Sequence, residues 1–112
     1  MRFQVPAISK LLGVGAFLLI FSFALQAGPA PDGGDLFKQK CSMCHGVDGK
    51  GYSALKTPDF TDPKVQASLT DKEIVDTIKN GKKGTAMPAF ADKLSDEQIQ
   101  SLVTYIRSLK QK

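Results

Sequence analysis

Two thiols and one imidazole stand within five residues, in the order Cys41-Ser42-Met43-Cys44-His45. The chain has two cysteines and one histidine, and this pentapeptide holds all three. The spacing C-x-x-C-H is the attachment signature for haem of the c type. Each thiol can add across one vinyl group, giving two thioether bonds, and the histidine that follows is delivered to the iron as an axial ligand. That chemistry needs both thiols and the imidazole on one short turn, about 3.6 residues per turn in a helix. Three other readings compete. A redox pair of the thioredoxin type needs a strand–helix context, which nothing before Cys41 supplies. A structural zinc site wants four ligands, mostly Cys or His, and the chain offers three. A plain disulfide between Cys41 and Cys44 asks for nothing else.

Haem iron takes a sixth ligand or keeps an open site. With one histidine in the chain, a second imidazole cannot come from within it. Met43 is locked inside the attachment turn on the His45 side. Met87 remains, in Thr85-Ala86-Met87-Pro88-Ala89-Phe90, 42 residues after His45. Pro88 stiffens that backbone and removes a donor that would need pairing. A rigid loop suits a thioether, because a weak ligand needs positioning. The other reading of Met87 is a core methionine filling a gap.

The elements that must position these residues are helical. A first helix begins near Gly33 and runs to the cysteines, with Leu36 and Phe37 inward. Gly46-Val47-Asp48-Gly49-Lys50-Gly51 is a loop and does not match the Walker spacing of a phosphate-binding loop. Asp62-Pro63 is an N-cap with proline at the first helical position. Thr70-Asp71-Lys72-Glu73 and Ser95-Asp96-Glu97-Gln98 are capping boxes that open two longer helices. Ile74, Val75 and Ile78 share one face of the first, which Asn80-Gly81 stops. Ile99, Leu102, Val103, Ile106 and Leu109 form a stripe on the second. Nothing after residue 27 alternates as a strand does, so the fold class is all-α.

Residues 1–27 have the layout of a secretory signal peptide: Arg2 and Lys10, then 15 apolar-rich residues from Leu11 to Leu25, then small residues ending at Ala27. The run is short for a spanning helix, which needs about 20 residues. An uncleaved anchor is the alternative, since Leu25 lies three places before the cleavage point. Cleavage after Ala27 leaves residues 28–112, 85 residues, about the size at which a core needs a staple. Bound haem would be that staple. The full chain carries net charge +4, and the mature part +2 from 13 basic and 11 acidic residues. Two haem propionates would bring this near zero, so charge gives no argument for nucleic acid. Ten basic residues after position 50 are expected mostly on a solvated face.

Together these residues resemble a class I cytochrome c of the small bacterial monohaem type. The likeness covers residues 33 to 110. Gly33 and Phe37 match that family's first helix, and Leu102 and Tyr105 match the terminal helix that crosses it. Thr57-Pro58-Asp59-Phe60 resembles the segment whose proline carbonyl accepts a hydrogen bond from the axial histidine, although many relatives have glycine at the place of Thr57. Asn80-Gly81 and Met87-Pro88-Ala89-Phe90 resemble the distal loop and its methionine ligand.

The resemblance implies a small cytochrome c fold, three to five helices wrapped around one covalent haem, with residues 28–112 as the cytochrome c domain. It implies haem c on Cys41 and Cys44, iron held by His45 and Met87, and Pro58 orienting His45. From the first half of the domain, Leu36, Phe37, Leu55 and Phe60 are candidates to enclose the ring. From the second half they are Ile74, Ile78, Phe90, Leu94, Leu102 and Tyr105. The expected function is one-electron transfer in the periplasm, not enzymatic catalysis, since haem c is assembled outside the bacterial cytoplasm. The partners would be a redox donor and acceptor docking transiently at the haem edge, with Lys50, Lys82 and Lys83 at its rim, and no stable membrane insertion once the signal is cleaved. The alternatives are a subunit of a larger dehydrogenase or oxidase, and a haem enzyme or gas-binding protein with an open distal site.

Overall fold

Both capping boxes form, and they start the two longest helices. The structure is a computed structural model and describes residues 32–111; the signal-peptide segment lies outside them. In the first box the Thr70 amide donates to the Glu73 carboxylate at 2.7 Å, and the Glu73 amide donates to the Thr70 hydroxyl at 3.1 Å. In the second, Ser95 and Gln98 exchange the same pair of bonds at 2.9 and 3.1 Å. Each satisfies amides that a helix start leaves without partners.

The described residues form five α-helices and no strand. They are α1 (Gly33–Lys40), α2 (Ser42–His45), α3 (Pro63–Ser68), α4 (Asp71–Asn80) and α5 (Asp96–Ser108), with a short 3-10 turn at Ser53–Leu55. The Asp32 carboxylate caps α1 by accepting from the Gly34 amide at 2.8 Å, and Asp62 caps α3 with Pro63 in its first turn. Among the described residues no helix is long and apolar enough to cross a membrane.

The core lies where α1 crosses α5. Phe37, Ile99 and Leu102 are the fully buried large side chains. Burial of each contributes about 1.5–3 kcal/mol as an upper figure. The crossing depends on Gly33. A Cβ there would lie 2.6 Å from the Ser101 carbonyl carbon and 3.1 Å from Cβ of Tyr105. The Tyr105 ring then packs at 5.3 Å from that of Phe37.

A polar clasp closes the other end of α5. Arg107 donates to the Gln66 and Leu69 carbonyls at 2.8 and 2.6 Å, to the Gln66 side-chain oxygen at 3.0 Å, and to Asp71 at 2.7 Å. Arg107 is therefore one of the basic residues after position 50 that does not lie on a solvated face. Its guanidinium answers carbonyls that the ends of α3 leave open. Gln66, itself buried, had no signal in the sequence, because a glutamine in an exposed-looking short helix is indistinguishable from a surface one.

Candidate cofactor site

Cys41 ends α1 and Cys44-His45 complete the single turn of α2, whose amides at 44 and 45 both bond the Cys41 carbonyl. This turn brings both thiols and the imidazole to the wall of one cavity. Water-sized molecules can occupy about 250 Å³ of it by their centres. The opposite arc comes from α4 and the loop after it, and that loop brings Met87 to the same cavity.

The Met87 loop is held from several sides. The Lys82 amide donates to the Met87 carbonyl at 3.3 Å, and the Met87 amide donates to the Thr85 hydroxyl at 3.2 Å. That hydroxyl donates in turn to the Lys82 carbonyl at 2.7 Å. The Phe90 amide donates to the Ile78 carbonyl at 2.9 Å, which ties the loop's far end to α4. Met87 is half-buried at the core's edge, whereas Met43 is 87% exposed and takes no part in the cavity.

Most of the remaining wall is apolar. Phe37, Leu55, Phe60, Ile74, Ile78, Phe90, Leu94 and Leu102 line it as expected. Leu36 and Tyr105 do not: Leu36 packs only at the core's edge, and Tyr105 is taken up by the helix crossing. Leu69 and Ile106 belong to the lining and were missed. The lysines of the wall are Lys40, Lys56 and Lys82. Lys50 and Lys83 lie outside it; Lys50 sits near the carboxylate of Asp59 instead.

Burial sets the ionisation of the attachment turn. The Cys41 thiol is pushed up to about 11, first by burial and then by neighbouring Cys44. Burial also pushes the His45 imidazole below its ordinary value. The Phe60 ring lies on that imidazole, with centroids 5.1 Å apart and planes 19° from parallel.

Pro58 lines the cavity together with His45. Nδ1 of His45 is buried without any hydrogen-bond partner. The Pro58 carbonyl sits against Gly51, where a Cβ would lie 2.8 Å from its oxygen. Thr57 folds inward beside it, its hydroxyl accepting from the Tyr52 amide at 2.7 Å. A histidine on a core wall with an unmade bond is a costly feature, about 1–3 kcal/mol for an unsatisfied buried group.

The donor set discriminates between the readings of the C-x-x-C-H turn. Both cysteines are free thiols, not a disulfide. No group of three His, Cys, Asp or Glu among the described residues is arranged for a metal ion, so the zinc reading lacks its ligands. No strand precedes the turn, as a thioredoxin-type pair would need. Two thiols, an imidazole and a thioether around an apolar cavity fit an iron porphyrin.

Residues 28–106 match the family described as cytochrome c oxidase, cbb3-type, subunit III. Cytochrome c6 of Nostoc sp. is 31% identical over 96 residues, covering 86% of this chain and 85% of that protein. The cbb3-type cytochrome c oxidase subunit FixP of Azorhizobium caulinodans is 36% identical over 80 residues, which are 71% of this chain and 27% of FixP. The chain thus spans little more than a quarter of that oxidase subunit's length. Among solved structures, the KustC0563 c-type cytochrome superposes with a TM-score of 0.67 at 34% identity, over 72% of this chain and 100% of that one.

Proposed function

This chain belongs to the cytochrome c family, as an electron-transfer protein that binds covalent haem c, and from that premise we propose a soluble periplasmic carrier with His45 and Met87 as the two iron ligands. The observation that carries the reading is the meeting of Cys41, Cys44, His45 and Met87 at one apolar cavity. Bound there, haem c supplies a one-electron ferrous–ferric couple.

The chain's residues do the rest. Cys41 and Cys44 hold the group covalently. His45 donates an imidazole nitrogen from the attachment turn. Met87 donates a soft sulfur, which favours ferrous iron and raises the potential. The walls from α4 and α5 exclude water. Lys40, Lys56 and Lys82 set positive charge beside the cavity, where a redox partner of acidic surface would dock. Residues 1–27 would export the chain and then be removed.

A reduced-minus-oxidised absorption spectrum of the periplasmic fraction, with intact mass, tests this reading. The expected result is a mass one haem above that of residues 28–112, haem that resists acid–acetone extraction, and a weak red band in the ferric form. Haem that extracts freely would rule out two thioether bonds. A second reading, a fixed subunit of a larger oxidase, is favoured by the match to the cbb3-type family and FixP. Co-purification in one stoichiometric complex would support it, and a free 85-residue holoprotein would oppose it.

A further inference from the structure

We propose that Glu73 is a fixed charge that sets the iron's potential, its carboxylate at the cavity wall favouring the ferric state. That role presupposes the reading of the cavity as a haem site with iron inside it. Among the described residues that line the cavity, Glu73 is the only carboxylate, against three lysines, Lys40, Lys56 and Lys82. It comes from the first turn of α4, on the same arc of wall as Ile74, Thr77 and Ile78. Reduction of iron takes away one positive charge. A negative charge nearby therefore attracts the ferric form more strongly than the ferrous form.

The carboxylate is pinned where it stands. Its Oε2 accepts from the Thr70 amide at 2.7 Å and from the Thr70 hydroxyl at 2.9 Å. The Glu73 amide donates back to that hydroxyl at 3.1 Å. The two bonds from Thr70 hold the carboxyl below its ordinary value of 4.5, so the charge is present at neutral pH. Lys72, the adjacent cation, is engaged with Asp76. Capping does not by itself require an ionised group. The box of α5 does the same task with a neutral amide, since Oε1 of Gln98 accepts from the Ser95 amide at 2.9 Å. Neither Ser95 nor Gln98 lines the cavity. Of two equivalent boxes, the one at the cavity wall is the one closed by a charge. Glu73 is exposed, so water and salt screen its field and keep the effect modest.

The test is potentiometry of the holoprotein at low and high salt, with thermal midpoints measured alongside. Glu73→Gln removes the charge and keeps the box, as Gln98 does in α5. Glu73→Ala removes both. The two are expected to raise the potential equally at low salt. The one-electron equilibrium should shift about threefold, which is about 28 mV at 59 mV per tenfold. Glu73→Ala should lower the thermal midpoint more than Glu73→Gln. The rise should shrink in both as salt increases. Glu97→Gln removes a carboxylate from the first turn of α5, away from the cavity wall, and should shift the equilibrium less.

An unchanged potential in Glu73→Gln would overturn the proposal and leave Glu73 a cap alone. A shift confined to Glu73→Ala would overturn it too, because it would follow the loss of the box and not of the charge. An equal shift in Glu97→Gln would assign the effect to the net charge of the molecule. Should Glu73→Gln not accumulate, an unchanged or salt-independent potential in Glu73→Ala overturns the proposal equally. Wild-type protein without covalent haem and a reversible one-electron couple is a failure of the functional reading instead, and is visible before any variant is made.

Discussion

The backbone of Gly81 runs against that of Met87 so closely that a Cβ on the glycine would lie 2.7 Å from the Met87 carbonyl oxygen. Gly81 also has φ of 71° and ψ of −175°, a conformation open essentially to glycine alone. The residue that stops α4 is therefore the residue that lets the methionine loop fold back to the cavity. Gly81→Ala should destabilise the holoprotein by about 1–3 kcal/mol from backbone strain. It should also weaken or abolish the red ferric band as Met87 is displaced. Thermal denaturation and ferric absorbance check both; a lowered midpoint with an intact band would separate strain from ligand placement.

The two methionines among the described residues provide a paired control. Met87→Ala should lower the potential by a measurable part of the ~0.8 V range that axial ligands command, remove the red band and let carbon monoxide bind the ferrous form. Met43→Leu should do none of these, because Met43 is 87% exposed and outside the cavity. Potentiometry and carbon monoxide difference spectra decide it. A wild-type spectrum in Met87→Ala would point to another ligand, such as Lys82 on the same wall.

The helix crossing makes a graded stability prediction. Gly33→Val forces side-chain atoms into the Ser101 backbone, and overpacking of this kind costs about 1–3 kcal/mol or more. Gly34→Ala meets only side-chain atoms, of Asp32 and Tyr105, no nearer than 3.1 Å. It should cost less than Gly33→Val. Urea midpoints of the two holoproteins give the comparison, and equal midpoints would remove the crossing argument.

Acid should act through Asp59, in the segment that carries Phe60. Hydrogen bonds from the Thr61 hydroxyl and amide hold its carboxyl below its ordinary value of 3.8. The folded state thus binds that proton less readily than the unfolded state. Its stabilisation is present above the unfolded value and is lost as pH falls through the folded one. Asp59→Asn should therefore flatten the acid limb of a stability–pH profile while changing the neutral limb by a constant offset. An acid limb as steep as that of wild type would reject the assignment.

Docking charge should reside at Lys40, Lys56 and Lys82 rather than at Lys50 and Lys83. Lys56→Glu with Lys82→Glu is expected to slow electron transfer to an acidic partner by roughly tenfold at low salt, with the difference shrinking as salt rises. Lys83→Glu should have a smaller effect. Stopped-flow rates across an ionic-strength series test this, and equal slowing by Lys83→Glu would argue for a diffuse charge effect.

Much of this protein was legible in its residues because the signals are local. Cys41, Cys44 and His45 lie within one turn, so their chemistry needs no tertiary information. The caps at Asp62, Thr70 and Ser95 each bond amides two or three residues on, and all formed as the spacing predicts. The apolar stripe on α5 likewise follows from helical period, with Leu102 and Ile99 fully buried.

What the tertiary structure decided are pairings between segments far apart in the chain, for which a sequence carries no distance. Arg107 reaches back 41 residues to Gln66, and the two form a partly buried clasp that neither residue's local sequence signals. Lys40 and Lys56 reach the cavity while Lys50 turns toward Asp59. The imidazole of His45 rests against Phe60, a contact between segments 15 residues apart. The attachment signature was local chemistry; what brings Met87 to the same cavity is packing, which exists only once the helices have crossed.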